Sequence, residues 1–117
     1  MLVTSRRIYS DKRQGKEYRV LADRLWPRGV SKEDADVDMW AKDLAPSDDL
    51  RKWFHDDRDS RYEEFAEKYR HELEDLAPDL DELRNRSEIV LLTAAKDVDH
   101  SHIPTLTDYL TDVLNDK

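Results

Sequence analysis

The sequence predicts a small α/β protein, a single-domain three-layer sandwich in which a mostly parallel sheet lies between helices. The length of 117 residues fits one domain, residues 1–117. Short apolar segments at 2–9, 18–23 and 88–95 are typical of strands. Segments with helical periodicity separate the later strands and end the chain, and this alternation favours a parallel sheet.

The strand segments differ in character. Residues 2–9 are rich in β-branched and aromatic types, which predicts an edge strand. Tyr18–Asp23 and Glu88–Ala95 are nearly continuous in apolar residues, which predicts buried strands. Polar residues from Asp11 to Lys16 predict a turn, and the alternation from Val37 to Lys42 predicts a further short strand.

Helix boundaries follow from capping residues and prolines. Ser31 and Ser47 each precede acidic residues, so they predict a short helix and a second helix that ends at His55. The longest helix is predicted to begin at Asp59 or Ser60 and to end before Pro78. Pro78 is expected in the first turn of a further short helix. The remaining apolar positions at helical spacing indicate a closing helix: Ile103, Leu106, Leu110, Val113 and Leu114.

The charge of the chain limits its partners. The net charge is −8, with 28 acidic residues against 20 Lys and Arg. An acidic surface repels nucleic acid and anionic membranes, so we expect neither as a partner and expect a monomer.

No apolar segment approaches the about 20 residues that a bilayer requires, and no leader-like segment begins the chain. With cysteine absent, these features predict a cytoplasmic protein without disulfides.

The segment Asp23-Arg-Leu-Trp-Pro-Arg-Gly29 directly follows a predicted buried strand. Arg24 and Arg28 offer planar recognition of a phosphate or carboxylate, and Trp26 offers a surface for a planar ligand. Asp23 is a candidate for proton transfer, and Gly29 allows a turn that other residues resist. The alternative is that both arginines pair with acidic side chains and that the tryptophan fills the core.

A second polar cluster, Lys96 to His102, follows the other buried strand. Lys96 can hold an anion or act as a base, and Asp97 and His100 are candidates for proton transfer near neutral pH. These three residues and Asp23 are the candidate catalytic residues. In the alternative interpretation, Asp97 caps a helix and the histidines are solvated.

The chain has no recognised cofactor or metal motif. Asp97, Asp99, His100 and His102 are metal-ligand types, but they are crowded together without a known spacing, so no metal site is predicted. Two glycines cannot build a glycine-rich phosphate loop, and the cofactor stays unknown. Phe54 is predicted to be core, with a pocket wall as the alternative, and His55 is predicted to be a solvated helix end.

Four motifs resemble the YeaO-like proteins, a small bacterial and archaeal family catalogued as domain of unknown function 488. They are Asp23-Arg-Leu-Trp-Pro-Arg-Gly29, Trp40-x-Lys-Asp-Leu-Ala-Pro-Ser47, Leu50-Arg-Lys-Trp-Phe54, and Leu91-Leu-Thr-Ala-Ala-Lys-Asp97 with His100. The resemblance covers nearly the whole chain and implies a compact α/β fold, but it implies no particular reaction. It places all the candidate residues in signature motifs: Asp23, Arg24, Trp26, Arg28, Gly29, Lys96, Asp97 and His100. The chain departs from the family pattern at His102 and Pro104, where many relatives have asparagine and alanine.

Two functions stay open at this point. The first is binding of a small anionic metabolite, phosphorylated or carboxylated, at the ends of two strands, with or without acid–base chemistry. Arg24, Trp26, Arg28 and Gly29 would bind the ligand. The second is a non-catalytic protein-interaction or regulatory domain, because arginine and tryptophan are favoured in protein interfaces.

Overall fold

The computed structural model describes residues 2–10, 15–84 and 86–115. The four strands are β1 (Leu2–Arg7), β2 (Tyr18–Leu21), β3 (Met39–Trp40) and β4 (Glu88–Thr93). The α-helices are α1 (Lys32–Ala35), α2 (Asp48–Asp56), α3 (Arg58–Leu76) and α4 (Ile103–Asn115). The predicted α/β fold class is therefore confirmed. None of the described helices is both long enough and apolar enough to cross a membrane.

All strands of the sheet run parallel, in the order β1-β4-β2-β3. Leu21 of β2 is in register with Leu92 of β4 on one side and with Trp40 of β3 on the other. Because the strands are parallel, they all end at the same side of the molecule, which we call the carboxyl edge of the sheet. Ligands of open parallel sheets bind at this edge.

Successive residues of the central strands point to opposite faces, and each face has its own core. Ile89 and Leu91 contribute to the larger core, which is completed by apolar residues of α2, α3 and α4. Val90 and Leu92 contribute to the smaller core on the other face, which includes Ala35 of α1. The sheet thus lies between two layers of unequal thickness, because α1 has only four residues.

Two helix caps match their sequence signals. The Ser31 hydroxyl accepts from the Asp34 N–H, and the Ser47 hydroxyl accepts from the Leu50 N–H. At the end of α3, Ala77 adopts a left-handed conformation with φ of 44°, and Pro78 follows it.

Three local predictions need correction or cannot be assessed. The strand predicted from Val37 to Lys42 pairs only at Met39–Trp40, because β2 offers it just two partners in register. The helix expected after Pro78 is a 3₁₀ turn at Asp81–Leu83, and Pro78 lies before it. Residues 11–14 of the predicted turn lie outside the described part of the chain.

Because β4 is buried, substitutions in it should lower the free energy of unfolding. Leu91 is fully buried, so Leu91→Ala should lower the free energy of unfolding by about 2–5 kcal/mol through lost burial and a residual cavity. Leu76→Ala is the matched control, because Leu76 is 53% exposed at the end of α3 and its loss should cost less than about 1 kcal/mol. Denaturant titration of both variants checks this. Equal losses in the two would contradict the assigned position of β4.

Candidate ligand-binding cleft

A cleft of about 670 Å³ opens at the carboxyl edge of the sheet. Segments at the ends of all four strands contribute to its lining: Tyr9 after β1, residues 23–28 after β2, Ala45 and Pro46 after β3, and residues 93–96 at and after the end of β4. The two polar clusters singled out in the sequence, far apart along the chain, therefore contribute to one cleft. The second cluster contributes through Lys96, Ser101 and His102.

The Asp23 carboxylate connects the ends of β2 and β4. Its Oδ1 accepts a hydrogen bond from Thr93 Oγ1 and its Oδ2 accepts one from the Ala94 N–H, both at 2.7 Å. The Thr93 hydroxyl in turn accepts from the Ala95 N–H at 3.1 Å. Both oxygens of Asp23 are thus occupied by groups of the protein itself, and the two loops are held side by side.

Two ring N–H groups bind the backbone next to this carboxylate. Trp40 Nε1 donates to the Asp23 carbonyl, and His102 Nε2 donates to the Ala22 carbonyl, each at 2.8 Å. His102 Nε2 is also 3.5 Å from Asp23 Oδ1. The loop after β2 is therefore fixed by groups from β3, from β4 and from the start of α4.

His102 is largely buried, and its imidazole is neutral at pH 7 because its pKa lies below the ordinary value. Burial lowers the pKa of its imidazole, and the Asp23 carboxylate and the Ala22 carbonyl oppose this shift only in part. Because Nε2 carries the proton that binds Ala22, Nδ1 of the neutral ring is an acceptor.

Nδ1 of His102 has no hydrogen-bond partner among the described residues. It is not an enclosed atom, because within the described ranges the only fully buried side-chain nitrogen or oxygen without a partner is the Thr4 hydroxyl. His102 itself is among the residues that line the cleft. Its ring therefore keeps one nitrogen that no described residue binds.

Cations outnumber carboxylates in the lining of the cleft. Asp23 is the one acidic residue among the lining residues, against five Lys and Arg: Arg24, Arg28, Arg51, Arg58 and Lys96. Two of the cations have partners near the start of α2. Arg24 donates to the Pro46 carbonyl from Nε at 3.3 Å and from Nη2 at 3.2 Å, and Asp48 lies 3.7 Å from Arg24 and 3.5 Å from Arg51.

The other three cations have no ion pair with any carboxylate of the described residues. Arg28 and Lys96 are exposed, and the guanidinium of Arg58 lies over the Phe54 ring at 5.6 Å. The positive charges near the α2–α3 junction also affect the pKa of His55, another lining residue. Burial lowers its pKa, and the positive charges of Arg58 and Arg51 lower it further. The cleft is thus locally positive in a chain with a net charge of −8.

Four aromatic rings pack in a row, and three of them, Phe54, Phe65 and His102, line the cleft. Phe54 and Phe65 are stacked with centroids 4.1 Å apart, and Tyr69 continues the row at 6.0 Å from Phe65. His102 meets Tyr69 edge to face at 6.0 Å. We call Phe54, Phe65, Tyr69 and His102 the aromatic row. The Tyr69 hydroxyl donates to the Leu44 carbonyl, so the row is anchored to the segment before α2.

Trp26 lies at the side of the cleft and is half-buried. Its ring packs edge to face on Trp40 with centroids 5.4 Å apart, and its Nε1 donates to the Val30 carbonyl at 2.7 Å. This bond closes the loop in which Gly29 has a φ of 74°, a conformation that favours glycine.

Five of the sequence-predicted residues line the cleft: Asp23, Arg24, Trp26, Arg28 and Lys96. Gly29, Asp97 and His100 are not among the lining residues. Asp97 and His100 are exposed and pair with each other at 2.8 Å, and this hydrogen bond lowers the pKa of Asp97. The His100 ring also meets Tyr62 edge to face at 5.4 Å.

The sequence interpretation missed part of the lining. Arg51 and Arg58 line the cleft but were not predicted to. Phe54 belongs to the larger core and His55 is exposed near the end of α2, as predicted, and both also contribute to the lining. Arg51 and His55 lie one helical turn apart on α2, and Arg58 follows at the start of α3, so the α2–α3 junction brings all three to the cleft. That spacing was the signal available in the sequence. Among the described residues there is no group of three or more His, Asp and Glu that could hold a metal ion.

The fold and the cleft together define a small parallel α/β protein with a cationic cleft at the carboxyl edge of its sheet. Comparison with known proteins adds the family. Residues 2–117 match the family model DUF488-N3i, described as the inactive DUF488-N3 subclade, and the chain belongs to this family.

The chain is similar to uncharacterised proteins along most of its length. It is 42% identical over 106 residues to a protein of Mycobacterium tuberculosis, covering 89% of each chain. It is 37% identical over 113 residues to YeaO of Escherichia coli, covering 94% of this chain and 97% of that protein. The expected membership of the YeaO-like DUF488 family is thus confirmed. No solved structure matches the chain at a significant level.

The bonds of Asp23 predict a large effect of its removal. Asp23→Ala leaves the Thr93 hydroxyl and the Ala94 N–H without their acceptor, so the free energy of unfolding should fall by about 2–4 kcal/mol. Asp108→Ala, an exposed change on α4, is the control and should alter it by less than about 0.5 kcal/mol. Chemical denaturation measures both. A stable Asp23→Ala variant would show that the carboxylate does not hold the two loops.

The lowered pKa of His102 predicts how stability depends on pH. The pKa of His102 in the folded state lies below the unfolded value of 6.5, so the folded state binds fewer protons than the unfolded state at pH values between the two. The contribution of His102 to stability is therefore complete above pH 6.5 and is lost as the pH falls through the folded pKa. His102→Gln should make this loss smaller between about pH 7.5 and 5.5. It should not abolish the loss, because His55 contributes in the same direction. Denaturant titrations across this range test the difference, and parallel curves for both proteins would contradict it.

Proposed function

We propose that this protein binds a small anionic metabolite, phosphorylated or carboxylated, in the cleft and does not convert it. The observation that carries the proposal is the charge of the lining: five cations and one carboxylate. Three of those cations, Arg28, Arg58 and Lys96, have no ion pair with the described carboxylates, although acidic residues are in excess in the chain. Unpaired guanidinium and ammonium groups at one cleft are suited to a bound anion.

The remaining carboxylate does not compete with such an anion. Both oxygens of Asp23 accept hydrogen bonds from Thr93 and Ala94, and His102 lies beside it. Arg24 and Arg51 add positive charge, but their bonds to Pro46 and their contacts with Asp48 suit a supporting role. Arg28, Arg58 and Lys96 are then the groups that meet the ligand, with Trp26 beside them.

Binding without turnover agrees with the description of the family as inactive. It also agrees with the positions of Asp97 and His100, which pair with each other away from the cleft lining. Acid–base chemistry by Asp23, Lys96, Asp97 and His100 stays a prediction, and the proposal does not depend on it.

The proposal predicts that anions stabilise the fold. Pyrophosphate or citrate at about 100 times its dissociation constant should raise the free energy of unfolding by about 2.7 kcal/mol, seen as a higher melting temperature at low salt. Arg28→Ala and Lys96→Ala should each weaken binding by about tenfold or more, because each removes a charge-assisted hydrogen bond.

Arg84→Ala is the matched control for these variants. Arg84 precedes β4, so it lies at the side of the sheet opposite the cleft, and it carries the same charge. The control should bind anions as the parent protein does. Equal weakening in all three variants would indicate a general charge effect and would contradict a site in the cleft.

The alternative, a protein-interaction domain, is favoured by one observation. Leu25 is 71% exposed between Arg24 and Trp26, and such a group of residue types is typical of an interface hot spot. An absence of any anion-induced stabilisation, together with a stoichiometric complex that Leu25→Asp disrupts, would support this alternative over the first proposal.

A further inference from the structure

We infer that His55 is a further binding residue of this cleft and that its imidazole takes up a proton when the anion binds. The inference rests on the proposed function, because it concerns the same cleft and the same class of ligand. It adds one residue to the binding site and makes the affinity for the anion depend on pH.

His55 lies in the lining of the cleft near the end of α2. Its ring lies beside the Phe54 ring, with centroids 5.9 Å apart, and the residue is exposed. Neither ring nitrogen has a hydrogen-bond or ion-pair partner among the described residues. The imidazole is therefore accessible to solvent in the cleft and makes no polar bond to the described part of the protein.

The charges that act on the His55 ring are positive. Arg51 lies one helical turn before it on α2, and Arg58 follows at the start of α3. Burial lowers the pKa of the imidazole, and the guanidinium groups of Arg58 and Arg51 lower it further. No carboxylate of the described residues opposes this effect. Without a ligand, the ring is therefore mostly neutral near neutral pH.

Other charged groups near His55 lie on both sides of the cleft. The carboxylates of α2 and of the α2–α3 junction are exposed and are not among the lining residues: Asp48, Asp49, Asp56, Asp57 and Asp59. Across the cleft, the lining adds three cations, one carboxylate and two titratable rings: Arg24, Arg28, Lys96, Asp23, Tyr9 and His102. Both oxygens of Asp23 already accept hydrogen bonds. The charge that His55 meets within the cleft is therefore positive in sum.

A bound anion changes this balance. Its negative charge offsets the positive charges of Arg51 and Arg58 and favours the protonated form of His55. The proton and the anion then bind cooperatively, and each raises the affinity for the other by the same factor. Because a charge acts through space, this coupling does not depend on which ring nitrogen faces the ligand.

The test measures how the affinity for an anion depends on pH. Sulfate is the probe, because its own charge does not change between about pH 5.5 and 8, the range in which a histidine titrates. Isothermal titration at low, constant ionic strength should show sulfate binding about fivefold more tightly at the lower pH, which is a modest coupling between two ligands. Repeating the titration in buffers of different ionisation enthalpy should show proton uptake on binding.

Two histidine variants assign the effect to one residue. His55→Gln removes the titrating group, so it should lose most of the pH dependence and bind sulfate as the parent protein does at the higher pH. His71→Gln is the matched control, because His71 is an exposed histidine of α3 that is not among the lining residues. It should keep the pH dependence of the parent protein.

Proton NMR of the parent protein measures the same coupling without a substitution. The imidazole signals follow each histidine separately, which distinguishes His55 from His102, and the His55→Gln spectrum assigns the signal of His55. With saturating sulfate, His55 should titrate at a higher pH than without it.

The outcomes separate this inference from the proposed function. If sulfate binds but His55 titrates at the same pH with and without it, the anion site stands and the role of His55 is overturned. The same conclusion follows if His55→Gln and the parent protein depend on pH alike. If neither sulfate nor pyrophosphate binds at any pH, both the inference and the proposed function fail.

Discussion

The Asp23 carboxylate fixes the separation of the loops that follow β2 and β4, and the cleft depends on that separation. One oxygen accepts from the Thr93 hydroxyl and the other from the Ala94 N–H, while Trp40 and His102 bind the backbone on either side. A charged group with both oxygens occupied resists displacement, because each donor would be left unpaired without it. The same negative charge lies among the cations of the cleft and reduces their mutual repulsion.

The parallel sheet determines where these groups meet. All four strands end at one edge, so segments separated by most of the chain contribute to one surface. The α2–α3 junction adds Arg51, His55 and Arg58 from the larger core side. Acidic residues are in excess over the whole chain, yet among the described residues only Asp23 lines the cleft with a carboxylate. The distribution of charge, more than its total, therefore distinguishes this edge from the rest of the surface.

Features set by neighbouring residues were predictable from the sequence. The continuous apolar run of β4 and the caps at Ser31 and Ser47 depend on local chemistry, and the structure contains all of them. The length of β3 was not predictable, because it depends on how many residues β2 offers in register. Local patterns do not record such long-range pairing.

The residues of the candidate site were likewise predictable only where local sequence chemistry identifies them. The Asp23–Arg28 segment was recognisable because its residue types are unusual after a strand, whereas His102 has its partner Ala22 in a distant part of the chain. The sequence interpretation chose His100 as the candidate for proton transfer and not His102, although both histidines belong to one polar segment. The position of His102 directly before α4 places its ring, and not that of His100, against the end of β2. Phe54 belongs to the larger core and also lines the cleft. Its place in the lining depends on how the neighbouring loops pack, which the sequence pattern does not record.

The Trp26–Trp40 pair gives the cleft an optical signature. Two of the three tryptophans in the chain are 5.4 Å apart with their planes at 74°, and one of the two lines the cleft. Indoles that are close and inclined couple their electronic transitions, so this pair should contribute a coupled signal to the circular dichroism spectrum. Because Nε1 of each ring is bonded to a backbone carbonyl, the coupling should persist through side-chain motion elsewhere. The state of the cleft can thus be followed without any label.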